Sequence, residues 1–162
     1  MKKFVSLLLA MLMVLSLVAC GGDGGQSNTN SGDKVIKIGV FEPLSGDSAS
    51  GGKKEVLGMQ YANSETPTVE LNGETYKVEL VLSDNGSSTD KAPSAASDLV
   101  SKGVSLVLGT YGSGAAMAGG PKFGEAGIAA IGVTCTNPNV TAGNDYYFRI
   151  CFLDNFQSAV LS

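Results

Sequence analysis

The chain has 162 residues, 43% of them hydrophobic, and a net charge of −4 at pH 7. Its 11 Lys and Arg residues are scattered, so no segment offers the basic surface that nucleic acid requires, and no nucleic-acid partner is expected. The chain has no His, the most common general base and transition-metal ligand, and neither a metal nor another cofactor is expected.

The first 20 residues have the pattern of a bacterial export signal. Lys2 and Lys3 precede an apolar run over residues 4–19, which is rather short for a membrane-spanning helix of about 20 residues. The run ends in Leu-Val-Ala-Cys-Gly, which resembles the lipobox of bacterial lipoproteins. Residues 1–20 are therefore predicted to be a lipoprotein signal peptide that ends at the lipidated Cys20. The alternative is an ordinary signal peptide or membrane anchor with an incidental Cys.

Lipidation would hold the protein on the outer face of the cytoplasmic membrane. A diacylglycerol on Cys20 inserts two acyl chains, and each buried methylene contributes ~0.8 kcal/mol, so the anchor would be stable. Residues 21–34 contain no hydrophobic residue and are dominated by Gly, Ser and Asn. Because such a segment buries no apolar surface, it is predicted to be a flexible linker.

Strand-like and helix-like segments alternate from residue 35 onward. Strands are predicted over residues 35–40, 76–83, 104–108, 128–133 and 146–150. Helices are predicted over residues 53–63, 89–102 and 113–125, and another opens near residue 154. Strands joined through helices need crossover connections, so the predicted fold class is α/β, with a doubly wound parallel sheet covered by helices on both faces.

Sheets of this kind bind ligands outside the carboxyl ends of strands, where the strand order reverses. The loop at residues 109–114 (GTYGSG) passes from a strand directly into a helix, so its backbone N–H groups and the Ser113 hydroxyl lie at the positive end of the helix dipole. This arrangement suits a carboxylate. The alternative is that Ser113 is a plain N-cap and the glycines are turn residues.

A second candidate loop follows the fourth predicted strand. Thr134 and Thr136 lie two residues apart in an extended stretch, so their hydroxyls point the same way and could address one end of a ligand. The alternative role for both is to stabilise the turn before Pro138. Cys135 and Cys151 could be bridged outside the cell, but reduced and packed thiols are favoured.

The loop after the first strand, residues 42–52, contains Gly46-Asp47-Ser48. This tripeptide suggests a hydrolase, because one family of esterases places its nucleophile in a Gly-Asp-Ser turn. That family needs a His base, which this chain lacks. A secreted esterase is therefore a distant alternative, and the chain is not expected to be an enzyme.

Three segments stand out by their order and spacing. They are Ile-Lys-Ile-Gly-Val followed by Pro-Leu-Ser-Gly (residues 36–46), Val-Leu-Gly-Thr-Tyr-Gly-Ser (107–113), and Thr-Asn-Pro (136–138) with Thr141. Together they resemble the leucine/isoleucine/valine-binding family, whose members are type I periplasmic-binding-fold proteins that serve ABC importers. The resemblance extends over residues 35–162 and implies that this region is the N-terminal lobe of the substrate-binding domain.

The resemblance also implies where an amino acid would bind. Ser113 and Thr136 would donate hydrogen bonds to the ligand carboxylate, with help from the Gly114 N–H. The carbonyl and hydroxyl of Thr134 would take the ammonium group, and Tyr111 belongs to the same binding loop.

In two respects the chain departs from the family. An aromatic residue is common near the position of Gly51, where this chain has Ser-Gly-Gly, so the resemblance does not establish leucine as the ligand. The family also has a second lobe joined by a hinge, and residues 35–162 correspond to about half of its length. The chain is therefore expected to be truncated and, without a second lobe to exclude water, to bind its ligand weakly.

The function implied is that of the extracytoplasmic substrate-binding component of an ABC importer. An amino acid, branched-chain or related, is expected rather than a sugar, because sugar sites usually use stacking aromatics and the chain has no Trp. The expected partners are an ABC permease and, through the lipid, the membrane. A ligand-sensing receptor lobe of the same fold that is not coupled to transport is the alternative.

Overall fold

A computed structural model of the chain describes residues 34–162. The strands in that region are β1 (Val35–Glu42), β2 (Thr68–Leu71), β3 (Glu74–Asp84), β4 (Leu106–Leu108), β5 (Ala129–Gly132) and β6 (Tyr147–Arg149). The helices are α1 (Ala49–Glu65), α2 (Ala92–Ser101), α3 (Ser113–Glu125) and α4 (Asp154–Leu161), with a short 3-10 helix at Pro138–Val140. The predicted signal peptide, Cys20 and all of the predicted linker except Lys34 lie outside the described residues. No helix within residues 34–162 is long and apolar enough to cross a membrane.

The strands form one sheet in the order β2-β3-β1-β4-β5-β6. Neighbouring strands from β3 to β6 are parallel, as predicted. The first strand, β1, lies in the middle of the sheet. β3 lies on one side of it, and β4, β5 and β6 follow in order on the other side. This reversal confirms the doubly wound α/β class and places the topological switch point between β1 and β4.

One face of the sheet packs against α2 and α3. Phe41 of β1 and Val107 of β4 are buried there with Leu99 of α2 and Phe123 of α3. The rings of Phe41 and Phe123 meet edge to face, with their centroids 5.4 Å apart. A Cβ at Gly119 would lie 2.6 Å from the Phe41 ring. The small residues of α3 are therefore needed to let this helix approach the sheet closely.

The other face of the sheet carries α1, which covers it only in part. A groove of about 520 Å³ runs beside this helix. Its lining is mostly apolar and includes Ile38, Leu80, Leu108 and Ile131 of the sheet and Met59 of α1. Among the described residues, the prediction that helices cover both faces therefore holds for the face under α2 and α3 and only in part for the face under α1.

One strand was not predicted. β2 pairs antiparallel with β3, and the two are joined by Asn72 and Gly73. These turn residues have φ angles of 53° and 78°. Positive φ at both positions is what a two-residue type I′ hairpin turn needs. The strand before the turn is short and mostly exposed, so it has no apolar run that would indicate a strand.

Helix α1 begins at Ala49, before the predicted start at residue 53. Gly51 and Gly52 suggest a loop by composition, since Gly is a poor helix former. A Cβ at Gly52 would collide with the carbonyl oxygen of Pro43. Gly52 is therefore required by the close packing of the helix on the preceding loop rather than by a turn.

Candidate functional site

The loops that follow β1, β4 and β5 lie side by side, because these strands are neighbours in the sheet and run parallel. Each loop leaves the sheet at its carboxyl edge, next to the switch point, where ligands of doubly wound sheets bind. Every ligand-binding residue predicted from the sequence lies on the second or third of these loops, or in the first turn of α3.

Contacts with neighbouring strands and loops fix the position of the loop between β4 and α3. Gly109 has a φ of 121°, and a Cβ there would collide with the carbonyl oxygen of Phe41. The buried Tyr147 hydroxyl donates to the carbonyl of Gly109 at 2.8 Å. The buried Asn85 side chain donates to the hydroxyl of Thr110 at 2.7 Å. The backbone that leads into α3 is therefore firmly positioned.

Ser113 does not cap α3. The N-cap is Gly112, whose φ is 112°, and Ser113 is the first residue of the helix. The Ser113 hydroxyl instead accepts a hydrogen bond of 3.1 Å from the backbone N–H of Asn137, in the loop after β5. A hydroxyl that accepts from an N–H keeps its own proton to donate. The first turn of a helix also presents N–H groups without intrahelical acceptors, so an anion finds several donors here.

Gly114 and Thr136 flank this contact. Gly114 is the second residue of α3 and is exposed, so its backbone is accessible from the solvent side. Thr136 is half-buried and directly precedes Asn137, the residue bonded to Ser113. The structure thus brings the predicted carboxylate-binding residues to one place.

Arg149 fixes the loop after β5. Its guanidinium donates to three backbone carbonyls and to the hydroxyl of Thr141, at distances between 2.9 and 3.2 Å. The carbonyls belong to Cys135, Asn137 and Pro138. The sequence analysis did not single out Arg149, although a lone Arg within the otherwise uncharged Tyr-Tyr-Phe-Arg-Ile stretch was a usable signal.

Thr134 is exposed, and its hydroxyl donates to Glu55 Oε1 of α1 at 2.5 Å. The predicted role gave this hydroxyl to a ligand ammonium group. The two roles are compatible, because a hydroxyl that donates to a carboxylate still has lone pairs that can accept from an ammonium.

Glu42, the last residue of β1, is completely buried. Its Oε2 accepts a 2.7 Å hydrogen bond from the Tyr111 N–H. Burial first, and then a hydrogen bond with the Glu55 carboxyl, together raise the pKa of Glu42 to about 9. The side chain is therefore protonated at neutral pH. The available sequence signal was a carboxyl group at the end of the otherwise mostly apolar strand Val-Ile-Lys-Ile-Gly-Val-Phe-Glu.

The Tyr111 ring lies over Gly51 at the start of α1. A Cβ at Gly51 would come within 2.5 Å of the ring, which is itself 41% exposed. The absence of an aromatic near Gly51 is thus matched by an aromatic side chain that reaches the same place from the loop after β4.

Asp84, at the end of β3, holds the loop after β1. Its carboxylate accepts hydrogen bonds from the N–H groups of Leu44 and Gly86, both at 2.8 Å, and from the Ser45 hydroxyl at 2.6 Å. Burial raises the pKa of Asp84, but these hydrogen bonds outweigh burial and hold the pKa below its ordinary value. The loop that contains the Gly-Asp-Ser tripeptide is therefore a structural turn tied to the neighbouring strand.

Cys135 and Cys151, the two cysteines within residues 34–162, are free, as favoured from the sequence. Cys135 is buried, and burial raises its thiol pKa to about 11. A thiol with such a pKa is protonated and unreactive at neutral pH.

Comparisons with known proteins identify the family and the fold. The family described as periplasmic binding protein matches residues 35–160. The Leu/Ile/Val-binding protein homolog 3 of Brucella melitensis is 31% identical over 153 residues, which is 93% of this chain and 40% of that protein. A leucine binding protein from Thermotoga maritima superposes with a TM-score of 0.73 and 34% identity, covering 78% of this chain and 35% of the other.

A second solved structure is the branched-chain amino acid transporter substrate binding protein of Streptococcus pneumoniae, in complex with isoleucine. Its TM-score is 0.67 and its identity is 34%, over 75% of this chain and 35% of the other. This chain therefore spans 40% or less of the length of the three relatives. The described residues have the α/β fold of one lobe of such proteins.

Proposed function

The chain belongs to the periplasmic binding protein family, and on that premise we propose that it is the substrate-binding component of an ABC importer for an amino acid. Family members of this kind are extracytoplasmic solute-binding proteins rather than enzymes. The observation that carries the proposal is the first turn of α3, where the Ser113 hydroxyl is tied to the Asn137 N–H and keeps its own proton to donate.

The carboxylate of the ligand binds at this turn. Ser113 and Thr136 donate their hydroxyls, and the Gly114 N–H adds a donor that points along the helix axis. The dipole of α3 favours the negative charge at this end. Because the Ser113 contact joins α3 to the loop after β5, these donors converge before a ligand arrives, which lowers the entropic cost of binding.

The ammonium group binds at Thr134, through the carbonyl and the lone pairs of the hydroxyl. The hydroxyl is a good acceptor there because its proton points at the Glu55 carboxylate. The ligand side chain then lies toward the exposed Tyr111 ring, which favours an apolar group. The names of the relatives, which bind leucine, isoleucine or valine, support a branched-chain amino acid.

A titration panel tests the ligand class. The mature chain without its lipidated Cys20, residues 21–162, is titrated with leucine, isoleucine, valine, serine and glucose while backbone amide NMR shifts are recorded. We expect shifts with amino acids, largest with the branched-chain ones, and none with glucose. Binding of glucose without binding of any amino acid would contradict the proposal.

We also propose that Cys20 is lipid-modified and tethers the protein to the outer face of the cytoplasmic membrane. The support is the apolar run that ends in Leu-Val-Ala-Cys-Gly. Metabolic labelling with a palmitate analogue should mark the wild-type protein, and Cys20→Ala should abolish the label and leave an unprocessed precursor. Normal processing and membrane retention of the variant would refute the anchor.

Transport rather than sensing requires an ABC permease as partner. Deleting the gene in its native host should remove high-affinity uptake of the radiolabelled amino acid. Unchanged uptake, with a changed transcriptional response to the same amino acid, would favour the sensor.

A further inference from the structure

Two carboxyl groups from different elements meet beneath the proposed site. Glu42 ends β1, and Glu55 lies on α1. The Glu42 carboxyl is within hydrogen-bonding range of the Glu55 carboxyl. Neither side chain was indicated by the motifs of the sequence, and neither contacts the ligand directly in the proposed binding mode.

One oxygen of each carboxyl group is already occupied. Glu42 Oε2 accepts from the Tyr111 N–H at 2.7 Å, and Glu55 Oε1 accepts from the Thr134 hydroxyl at 2.5 Å. The other two oxygens, Glu42 Oε1 and Glu55 Oε2, are buried and have no hydrogen-bond donor among the described residues. The pair therefore consists of two anchored carboxyl groups, each with one buried oxygen that lacks a donor among the described residues.

One proton shared by the two carboxyl groups would give both unpaired oxygens a hydrogen-bond partner. A buried acceptor without a donor costs free energy, and two adjacent carboxylates cannot both be ionised at low cost. If the Glu42 carboxyl keeps its proton and donates it to Glu55, both free oxygens are satisfied by one charge-assisted O–H···O hydrogen bond. The group then carries one negative charge in place of two.

We propose that Glu42 and Glu55 share one proton and act as positioning residues of the amino-acid site. The hydrogen bonds run without a break from the Tyr111 N–H, through the carboxyl pair, to the Thr134 hydroxyl. They therefore fix the distance between the loop after β4 and the loop after β5, with α1 as the element that joins them. This role rests on the proposed function, because Tyr111 and Thr134 are ligand-binding residues only if that function is correct.

The proton is retained to alkaline pH. Burial raises the pKa of Glu42 to about 9, whereas an exposed Glu loses its proton near 4.5. The folded protein thus holds this proton from neutral pH up to about pH 9, and the hydrogen-bond chain is intact over that range. Above that pH two carboxylates repel one another, and α1 and the two loops are expected to separate.

The surrounding charges leave the pair as the group that responds to alkaline pH. The other titratable side chains nearby are Asp84 on β3, Cys135 after β5, Tyr147 and Arg149 on β6, and Lys53 and Lys54 on α1. Asp84 is held ionised by its own hydrogen bonds, and Arg149 bonds the carbonyls of the loop after β5. Burial raises the pKa of both Cys135 and Tyr147, so both stay neutral. The two lysines are exposed to solvent.

Carboxyl carbon NMR of the mature wild-type chain tests the shared proton without any ligand. We expect one Glu carboxyl to titrate near pH 9, with the Tyr111 and Thr134 amide signals shifting at the same step. Glu42→Gln should abolish the step and keep both amide signals near their wild-type positions, because the amide N–H replaces the shared proton. Glu79→Gln, an exposed residue of β3, is the matched control and should leave the step unchanged.

Titration of the wild type alone can overturn the proposal. If every Glu carboxyl titrates in the ordinary acidic range, or if Tyr111 and Thr134 do not respond to the alkaline step, the shared proton or its positioning role is wrong. This holds even if Glu42→Gln fails to fold.

Leucine binding separates the two proposals. Leucine loses its own ammonium proton in the same alkaline range, so affinity should fall in both proteins, and the difference between them is the readout. We expect the fall across the alkaline step to be about tenfold larger in the wild type than in Glu42→Gln, since the step removes about one positioning hydrogen bond. An equal fall in both proteins across a real step would refute the positioning role and leave the site intact. No leucine binding at any pH would refute the proposed function, and the positioning role with it.

Discussion

Ser113 and Thr136 are the side chains whose removal should weaken ligand binding most. A hydrogen bond to a charged group contributes ~1.5–3 kcal/mol, so we expect Ser113→Ala and Thr136→Ala each to weaken leucine binding about ten- to a hundredfold. Ser94→Ala on α2 is the matched control, because Ser94 is exposed and distant from the site in the sequence. Amide NMR titration, which is suited to the weak binding expected of one lobe, measures the three affinities. If Ser113→Ala leaves the affinity unchanged, Ser113 does not bind the carboxylate, and its hydroxyl serves only to accept the hydrogen bond from the Asn137 N–H.

Gly51 should resist substitution although it lies in a helix. A Cβ at Gly51 would meet the Tyr111 ring at 2.5 Å, so Gly51→Ala must displace the ring. Gly58 lies on the same helix, and a Cβ there would meet nothing within 4 Å. We expect Gly58→Ala to raise the free energy of unfolding by about 0.5–1 kcal/mol through helix propensity.

Denaturant unfolding and the Tyr111 ring signals in NMR measure both effects. Gly51→Ala should gain less stability than Gly58→Ala and should shift the ring signals, whereas Gly58→Ala should not move them. Equal stabilisation with an unmoved Tyr111 ring would show that the ring does not pack on Gly51.

At the scale of single residues, the sequence could place Ser113, Thr134 and Thr136 in loops after strands, but it left other roles open. Ser113 could equally have been a helix cap, where a shift of one residue decides, and the two threonines could have stabilised the turn before Pro138. A carboxyl group at a strand end was the one sequence signal for Glu42, and it did not indicate Glu55 as its partner. Their role depends on a contact between β1 and α1 that no spacing in the sequence specifies.

At the scale of structural elements, the conformation of the loop after β5 depends on one side chain of β6, that of Arg149. Arg149 makes four hydrogen bonds to this loop in a planar fork that a Lys ammonium cannot reproduce. We expect Arg149→Lys to lower the free energy of unfolding by about 2–4 kcal/mol and to shift the amide signals of Thr136 and Asn137.

Urea unfolding and amide NMR provide the two readouts for Arg149→Lys. Lys122→Arg is the control, since Lys122 forms only a surface ion pair with Glu125 and should change stability by less than about 0.5 kcal/mol. A loss of stability without shifts in the amide signals of Thr136 and Asn137 would mean that Arg149 stabilises the fold but does not position the site.

The elements themselves were predicted where their patterns are strong. Apolar runs of Val, Ile and Leu indicated the parallel strands, and the small-residue segment at 113–125 indicated α3 with its observed bounds. β2 was missed because an exposed edge strand of four residues has no buried face to produce a pattern. The start of α1 was missed because Gly51 and Gly52 satisfy packing constraints that resemble a loop in composition.

For the whole molecule, alternation of strands and helices was sufficient to predict a doubly wound sheet and the edge at which a ligand would bind. It was not sufficient to predict how each face is covered. A buried strand needs apolar side chains on both faces whichever segment covers it, so the groove beside α1 could not be foreseen from the strand pattern. The position of the proposed site therefore rests on topology, whereas the hydrogen bonds around it became visible only in the structure.

The most direct test of the proposed site compares leucine with isocaproate, the same carboxylate without the amino group, by amide NMR on the mature chain. Leucine should shift the signals of Ser113, Gly114, Thr134 and Asn137, and isocaproate should shift those around Ser113 but not Thr134. That result would place the carboxylate at α3 and the ammonium at the loop after β5. Shifts confined to the apolar groove beside α1, or identical patterns for the two ligands, would contradict an amino-acid site at the carboxyl edge of the sheet.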